Sequence, residues 1–185
     1  MKNLYHYTSM FHLPQILASG YLKLTESNLL MPTSNENVLP MERTLYKPVV
    51  WLTSSIDPSG HGLISTYGVN KKEVRITIRD RKHYQPWLVW SRNNRINKSW
   101  AKKLELDRNP NSWFISESII SLSCEELLRI ENTVSGEVLV DVTENKRKCI
   151  VKLKMPYGMN NKIFESYKAY AGWSISIGDV IKFEI

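Results

Sequence analysis

The chain has 185 residues, with 25 Lys and Arg against 18 Asp and Glu, a net charge of +7 and a pI of about 9.4. That length exceeds a typical domain of roughly 150 residues by too little for a second one, so one domain with an elaboration is expected, and the charge favours an anionic partner. Six Trp and nine Tyr exclude a disordered tail protein; two Cys with no CxxC or Cys/His cluster argue against a zinc site or a disulfide scaffold. With no signal-peptide pattern at the start and no apolar run near the roughly 20 residues of a membrane helix, a reducing cytoplasm is the expected location.

In chain order, residues 3–8 form a short aromatic-rich strand, and Phe11, Ile16 and Leu17 share the face of a helix that Gly20 stops. Tyr21 to Leu24 is a strand candidate. The stretch from there to Lys47, with Pro32, Pro40, Asn35 and Asn37, is a long loop, a length that marks either a functional loop or disorder. Val49 to Thr53, bounded by Pro48 and by Asp57-Pro58-Ser59-Gly60, reads as a central strand, and Glu73 to Ile78 alternates like a strand with one buried face. A helix over Ala101–Leu106 ends at Asn109-Pro110-Asn111, and a strand follows over Trp113–Ser116. Ser123 suits the cap of a short turn leading to Leu127 and Ile130. Glu137–Val142 and Cys149–Leu153 flank a turn and suit a hairpin, and the end reads as strand, turn, strand over Trp173–Ile177 and Val180–Ile185. The fold class is therefore α+β, with a core over 1–131 and a β-rich extension over 132–185 packed on it.

Tyr5-His6-Tyr7-Thr8-Ser9 sets a histidine and hydroxyl groups at the end of a strand. A neutral imidazole there suits holding a ribose hydroxyl or acid–base work near neutral pH; the competing reading is a core histidine, with Thr8 or Ser9 as a helix cap. From Lys71 to Arg108 there are twelve basic residues against four acids, a local excess of eight that exceeds the +7 of the whole chain. The run is interleaved with His83, Tyr84, Trp87, Trp90 and Trp100. Arg79, Arg81, Lys82, Arg92, Arg95 and Lys98 are candidates for phosphate contacts beside rings that stack on unpaired bases; the alternative is a solvated basic face over buried tryptophans. Arg75, on a strand, suits a pyrophosphate. His12, His61 and His83 lack metal-ligand spacing, so no metal site is expected, and neither a hydrolase elbow nor a phosphate loop is present.

Leu4-Tyr5-His6-Tyr7-Thr8, Leu13-Pro14-Gln15-Ile16-Leu17, Gly20-Tyr21-Leu22 and, later, Val50-Trp51-Leu52-Thr53-Ser54 carry a resemblance. They resemble the opening and second strand of the ADP-ribosyltransferase superfamily, notably its DarT-type nucleic-acid-modifying members and the related RNA 2′-phosphotransferases. The resemblance implies a fold split between two small β-sheets, with NAD bound in the cleft. His6 then bonds a ribose hydroxyl, Thr8 and Ser9 lie on the adenosine side, and Trp51, Thr53 and Ser54 line the nicotinamide cleft. A glutamate must stabilise the oxocarbenium-like centre. Glu117, in a Ser-Glu-Ser setting after a strand, is the first candidate and Glu137, in Gly-Glu-Val-Leu-Val, the rival. The implied activity is NAD-dependent ADP-ribosyl transfer to a nucleic acid or protein, or NAD hydrolysis. The competing expectation is a non-catalytic phage or mobile-element module that binds nucleic acid or a host protein through the basic, aromatic-rich face.

Overall fold

The computed structural model describes residues 3–24, 48–61, 68–81, 83–106 and 108–185. The expected long loop before Lys47 lies outside them, as do Lys82 and the side chain of Trp100. The chain is an α+β protein built on a seven-stranded, antiparallel sheet. Its strands are β1 (Asn3–Thr8), β3 (Val50–Thr53), β4 (Val74–Arg79), β5 (Gln85–Pro86), β6 (Trp113–Ser116), β8 (Leu127–Asn132) and β9 (Val138–Asp141), in the order β5-β6-β3-β1-β4-β8-β9. Two ribbons complete the strands: β2 (Tyr21–Leu22) with β7 (Ile120–Ser121), and β10 (Lys148–Lys152) with β11 (Val180–Glu184).

The large sheet is unevenly knitted. β1 pairs with β4 over six residues, from Asn3 opposite Arg79 to Thr8 opposite Val74, but with β3 only at Tyr5 opposite Thr53. The seven strands form one sheet, and its seam between β3 and β1, which divides the half-sheets β5-β6-β3 and β1-β4-β8-β9, is joined at one residue pair. The period-2 pattern of each strand then fixes its faces. Leu4, His6 and Thr8 lie on the side of Val74, Ile76 and Ile78, while Tyr5 and Tyr7 share the other side with Thr77 and Arg75.

The first face carries the main core. Leu4, Ile76, Ile78, Leu127, Ile130 and Val140 pack there against Leu13 and Leu17 of α1 (Leu13–Ser19). α1 starts with Pro14 in its first turn and ends at Gly20, whose φ of 74° is left-handed and whose N–H reaches the carbonyls of Ile16 and Leu17. A second core, on the far side of β3 and β6, holds Trp87 and Trp90 of α2 (Trp87–Asn93) with Val49, Trp113 and Ile115. α3 (Lys98–Glu105) adds Ala101 and Leu104 to its margin.

Residues 132–185 share the main core through Leu139, Val140, Cys149, Val151 and Phe183. The sequence pattern mispaired two of these strands: β9 pairs with β8 and β10 with β11, so the expected hairpin between 137–142 and 149–153 does not form. Both strands have a buried stripe, which fixes their faces but not their partners. Leu127 to Asn132, read as following a turn, is a full central strand, and Trp173–Ile177 is irregular. The extension also contains α4 (Asn161–Ala171), capped by Asn160 accepting from the N–H of Ile163 at 2.9 Å and ended by a left-handed Gly172.

If the C-terminal segment belongs to the same cooperative unit, Phe183→Ala lowers the stability of the whole chain by about 3 kcal/mol. Tryptophan fluorescence and far-ultraviolet circular dichroism should then move together in urea; separate transitions would show an independent subdomain.

Candidate active site at the split of the sheet

His6 stands where the two half-sheets part. Its Nδ1 lies 3.0 Å from the backbone oxygen of Trp51, across the gap to β3. A carbonyl oxygen only accepts, so Nδ1 carries the proton. Burial pulls the imidazole pKa below its ordinary value, against the opposing pull of that hydrogen bond. The ring is therefore neutral near pH 7, with Nε2 unprotonated, and no group among the described residues bonds Nε2. The result is a fixed acceptor of the kind that takes a hydrogen bond from a hydroxyl group.

The residues around it divide sharply. Thr8 and Ser9 are buried. Ser9 Oγ lies 2.6 Å from Nδ1 of His12 and accepts from the His12 N–H, so it serves the turn into α1, one of the two roles weighed for it. His12 Nε2 lies 2.8 Å from the hydroxyl of Tyr167 on α4. Rings of Phe11, Tyr167 and Trp173 enclose this imidazole. The tie joins the end of β1 to the C-terminal segment, and sequence spacing gives no hint of it.

Trp51 contributes its carbonyl rather than its ring to His6. The indole lies on the opposite face, 5.0 Å from the ring of Trp87 and 6.0 Å from that of Trp113. Thr53 Oγ1 donates to Ser112 Oγ at 3.3 Å, and the N–H of Ser54 donates to the carbonyl of Ser112 at 2.8 Å, tying the exit of β3 to the turn before β6.

Arg75 is on the other face from His6, beside Tyr5 and Tyr7. Its guanidinium pairs with Glu131, donates to the carbonyl of Ile56 at 3.1 Å and lies 5.4 Å from the centre of the Tyr5 ring. Arg129 continues the row, 2.8 Å from Glu131 and 3.5 Å from Asp141. The guanidinium is thus engaged by protein partners on the face away from His6.

Of the two glutamates, Glu117 follows β6 at the end of the sheet that holds Thr8, two strands from β1 on the split side. Its Oε1 accepts from the indole N–H of the fully buried Trp90 at 2.7 Å, which fixes an otherwise exposed side chain. Glu137 sits in the turn between β8 and β9, three strands from β1 on the other side. Sequence reading passed over Glu73, whose Oε2 accepts from the N–H of Met10 at 3.0 Å just past the end of β1. Its place directly before β4, the partner of β1, was the available signal.

The basic stretch resolves into parts. Trp87 and Trp90 are completely buried and Tyr84 nearly so, which removes those rings as stacking platforms; of its rings, His83 is exposed. Arg79 ends β4 and its N–H bonds the carbonyl of Glu126, while Arg81 pairs with the Glu126 carboxylate at 3.2 Å. Arg92, Arg95 and Lys98 are exposed. Among the described residues no group of three His, Cys, Asp or Glu is arranged to hold a metal, and no helix is long and apolar enough to cross a membrane.

Comparison with protein-family models, curated proteins and solved structures finds no match to this chain.

The His12 tie predicts a pH dependence. Burial, with the charge of Lys71 adding to it, lowers its pKa from 6.5 to about 4. Between those values the unfolded chain binds the proton and the folded chain does not, so stability rises with pH across that window. On acidification it falls by up to about 3 kcal/mol. Urea unfolding of His12→Gln at pH 7 and pH 4.5 should show a clearly smaller acid loss than the wild type, and an unchanged loss would contradict the assignment.

Proposed function

We propose that the chain consumes NAD, transferring ADP-ribose to an acceptor or, in its absence, to water. The observation that carries the reading is His6: a neutral imidazole at the parting of two half-sheets, held by Nδ1 to the carbonyl of Trp51 and presenting an unprotonated Nε2. It agrees with the resemblance of the segments around His6 and Trp51 to ADP-ribosyltransferases.

The chemistry asks for orientation and charge complementarity. The bond from the anomeric carbon to the nicotinamide nitrogen breaks, both electrons leave with nicotinamide, and positive charge develops on the ribose. His6 Nε2 accepts a hydrogen bond from a ribose hydroxyl and fixes the sugar. A carboxylate stabilises the developing charge, and an acceptor nucleophile or water then bonds the anomeric carbon and gives up its proton. Glu117 is the carboxylate the resemblance offers; its bond to Trp90 belongs to the second core, across the sheet from His6, and has to be given up for the carboxylate to reach the ribose. Ser9 stays with His12, the Trp51 carbonyl holds His6 and Arg75 stays with Glu131. Glu137 is left to its turn.

Incubation with NAD labelled in the adenine ribose, with and without DNA, RNA or cell extract, tests the reading. Nicotinamide release is expected; label on a macromolecule marks a transferase, and release without label a glycohydrolase. Glu117→Gln keeps an acceptor for the Trp90 N–H while removing the charge, so turnover should fall about 100-fold or more with the fold intact. His6→Gln should also lose turnover, with a stability loss of about 1 kcal/mol from the bond to Trp51. A folded wild-type protein that releases no nicotinamide with extract present would overturn the proposal and favour the binding module.

A further inference from the structure

The part of the basic stretch that the proposed reaction leaves unused gathers around one concavity. α2 and α3, with the turn between them, enclose an open hollow of about 790 Å³. Arg92 and Arg95 line it from the end of α2 and the turn, and Lys98 and Lys102 from α3. All four are exposed. Residues three or four apart share a helix face, so Lys98 and Lys102 stand in a row along α3.

The acid in the same lining is Glu105, and its Oε1 accepts from the buried indole N–H of Trp87 at 2.6 Å. That bond holds the carboxylate to the wall, where it serves the tryptophan core. The hollow therefore has a strongly positive rim. Its floor is apolar: Leu88 and Ala101 are half-buried and Ile96 is buried, as part of the core that Trp87 and Trp90 anchor. The cations thus stand on a rigid base. This separates them from Arg81, whose guanidinium is paired with Glu126.

We propose that this hollow binds the phosphodiester backbone of a nucleic-acid strand. Four cations about a concave floor match successive phosphates, while the apolar floor accepts the face of a sugar or base between them. A volume of about 790 Å³ exceeds the needs of a single inorganic anion and suits a segment of strand. The site is independent of the NAD chemistry, since it shares no residue with His6 or Glu117. Should both hold, it brings the strand to the protein as acceptor.

The test is fluorescence anisotropy with a labelled oligothymidylate of about twelve nucleotides, in the absence of NAD, so that the outcome does not depend on turnover. The wild type should bind at about 50 mM salt, and the logarithm of its affinity should fall with that of salt concentration with a slope of about −3, as expected for four contacts on a single strand. Arg92→Gln, Arg95→Gln, Lys98→Gln and Lys102→Gln combined should weaken binding at least tenfold and flatten the slope towards zero. Lys98→Glu with Lys102→Glu, which leaves the turn at Arg95 untouched, should also weaken it at least tenfold. Neutralising four lysines elsewhere, Lys148, Lys152, Lys154 and Lys182, changes net charge equally and should alter affinity less than twofold. Wild-type affinity in the folded hollow variants, an equal loss in the distant variant, or no binding at low salt would overturn the proposal. So would displacement by polyglutamate or by a mononucleotide as effective as unlabelled oligonucleotide.

Discussion

The hydrogen bond from His6 Nδ1 to the carbonyl of Trp51 is the contact on which the site depends. β1 and β3 share one paired position, Tyr5 with Thr53, and beyond it this side-chain bond takes the place of a backbone ladder. One interaction thereby fixes the tautomer, turns Nε2 outward from the contact and spans the parting of the sheet. The neutral state follows from burial of the ring, which disfavours taking up a second proton and outweighs the opposing pull of the bond to Trp51.

The two cores explain why this arrangement is rigid. On one side Leu4, Ile76 and Ile78 of the larger half-sheet are sealed by α1; on the other, the tryptophans of α2 are packed on β3 and β6. The main core also takes in Val50 and Leu52 of β3, so it runs beneath the seam and backs both half-sheets. The C-terminal segment reinforces the end of β1, with Tyr167 held to His12 and His12 to Ser9, and it supplies Val151 and Phe183 to the main core.

Much of the fold was legible because alternation in a strand and stop signals in a helix are local. Val74, Ile76 and Ile78 announced β4, and Pro14 with Gly20 bounded α1. Pairing is a long-range property, which is why β9 was given the wrong partner. α4 was missed although Asn160 and Gly172 bracket it and Phe164 and Tyr167 repeat at a helical interval; its termini carried the signal. At the site, His6 could be singled out from its neighbours, but the faces of adjacent strands could not be joined. Trp51 and Arg75 look like ligand contacts when read singly, and only the register reveals that they belong to the tryptophan cluster and the Glu131 row. The rings of the basic stretch illustrate the same limit, for burial of Trp87 and Trp90 depends on β3 and β6, far away in sequence.

The most direct measurement of the central claim is the long-range ¹⁵N–¹H correlation spectrum of the His6 imidazole at neutral pH, recorded before and after addition of NAD. The account predicts a neutral ring with the proton on Nδ1, and a shift of the Nε2 resonance on NAD addition with Nδ1 still protonated. A proton on Nε2, or His6 resonances indifferent to saturating NAD, would contradict it.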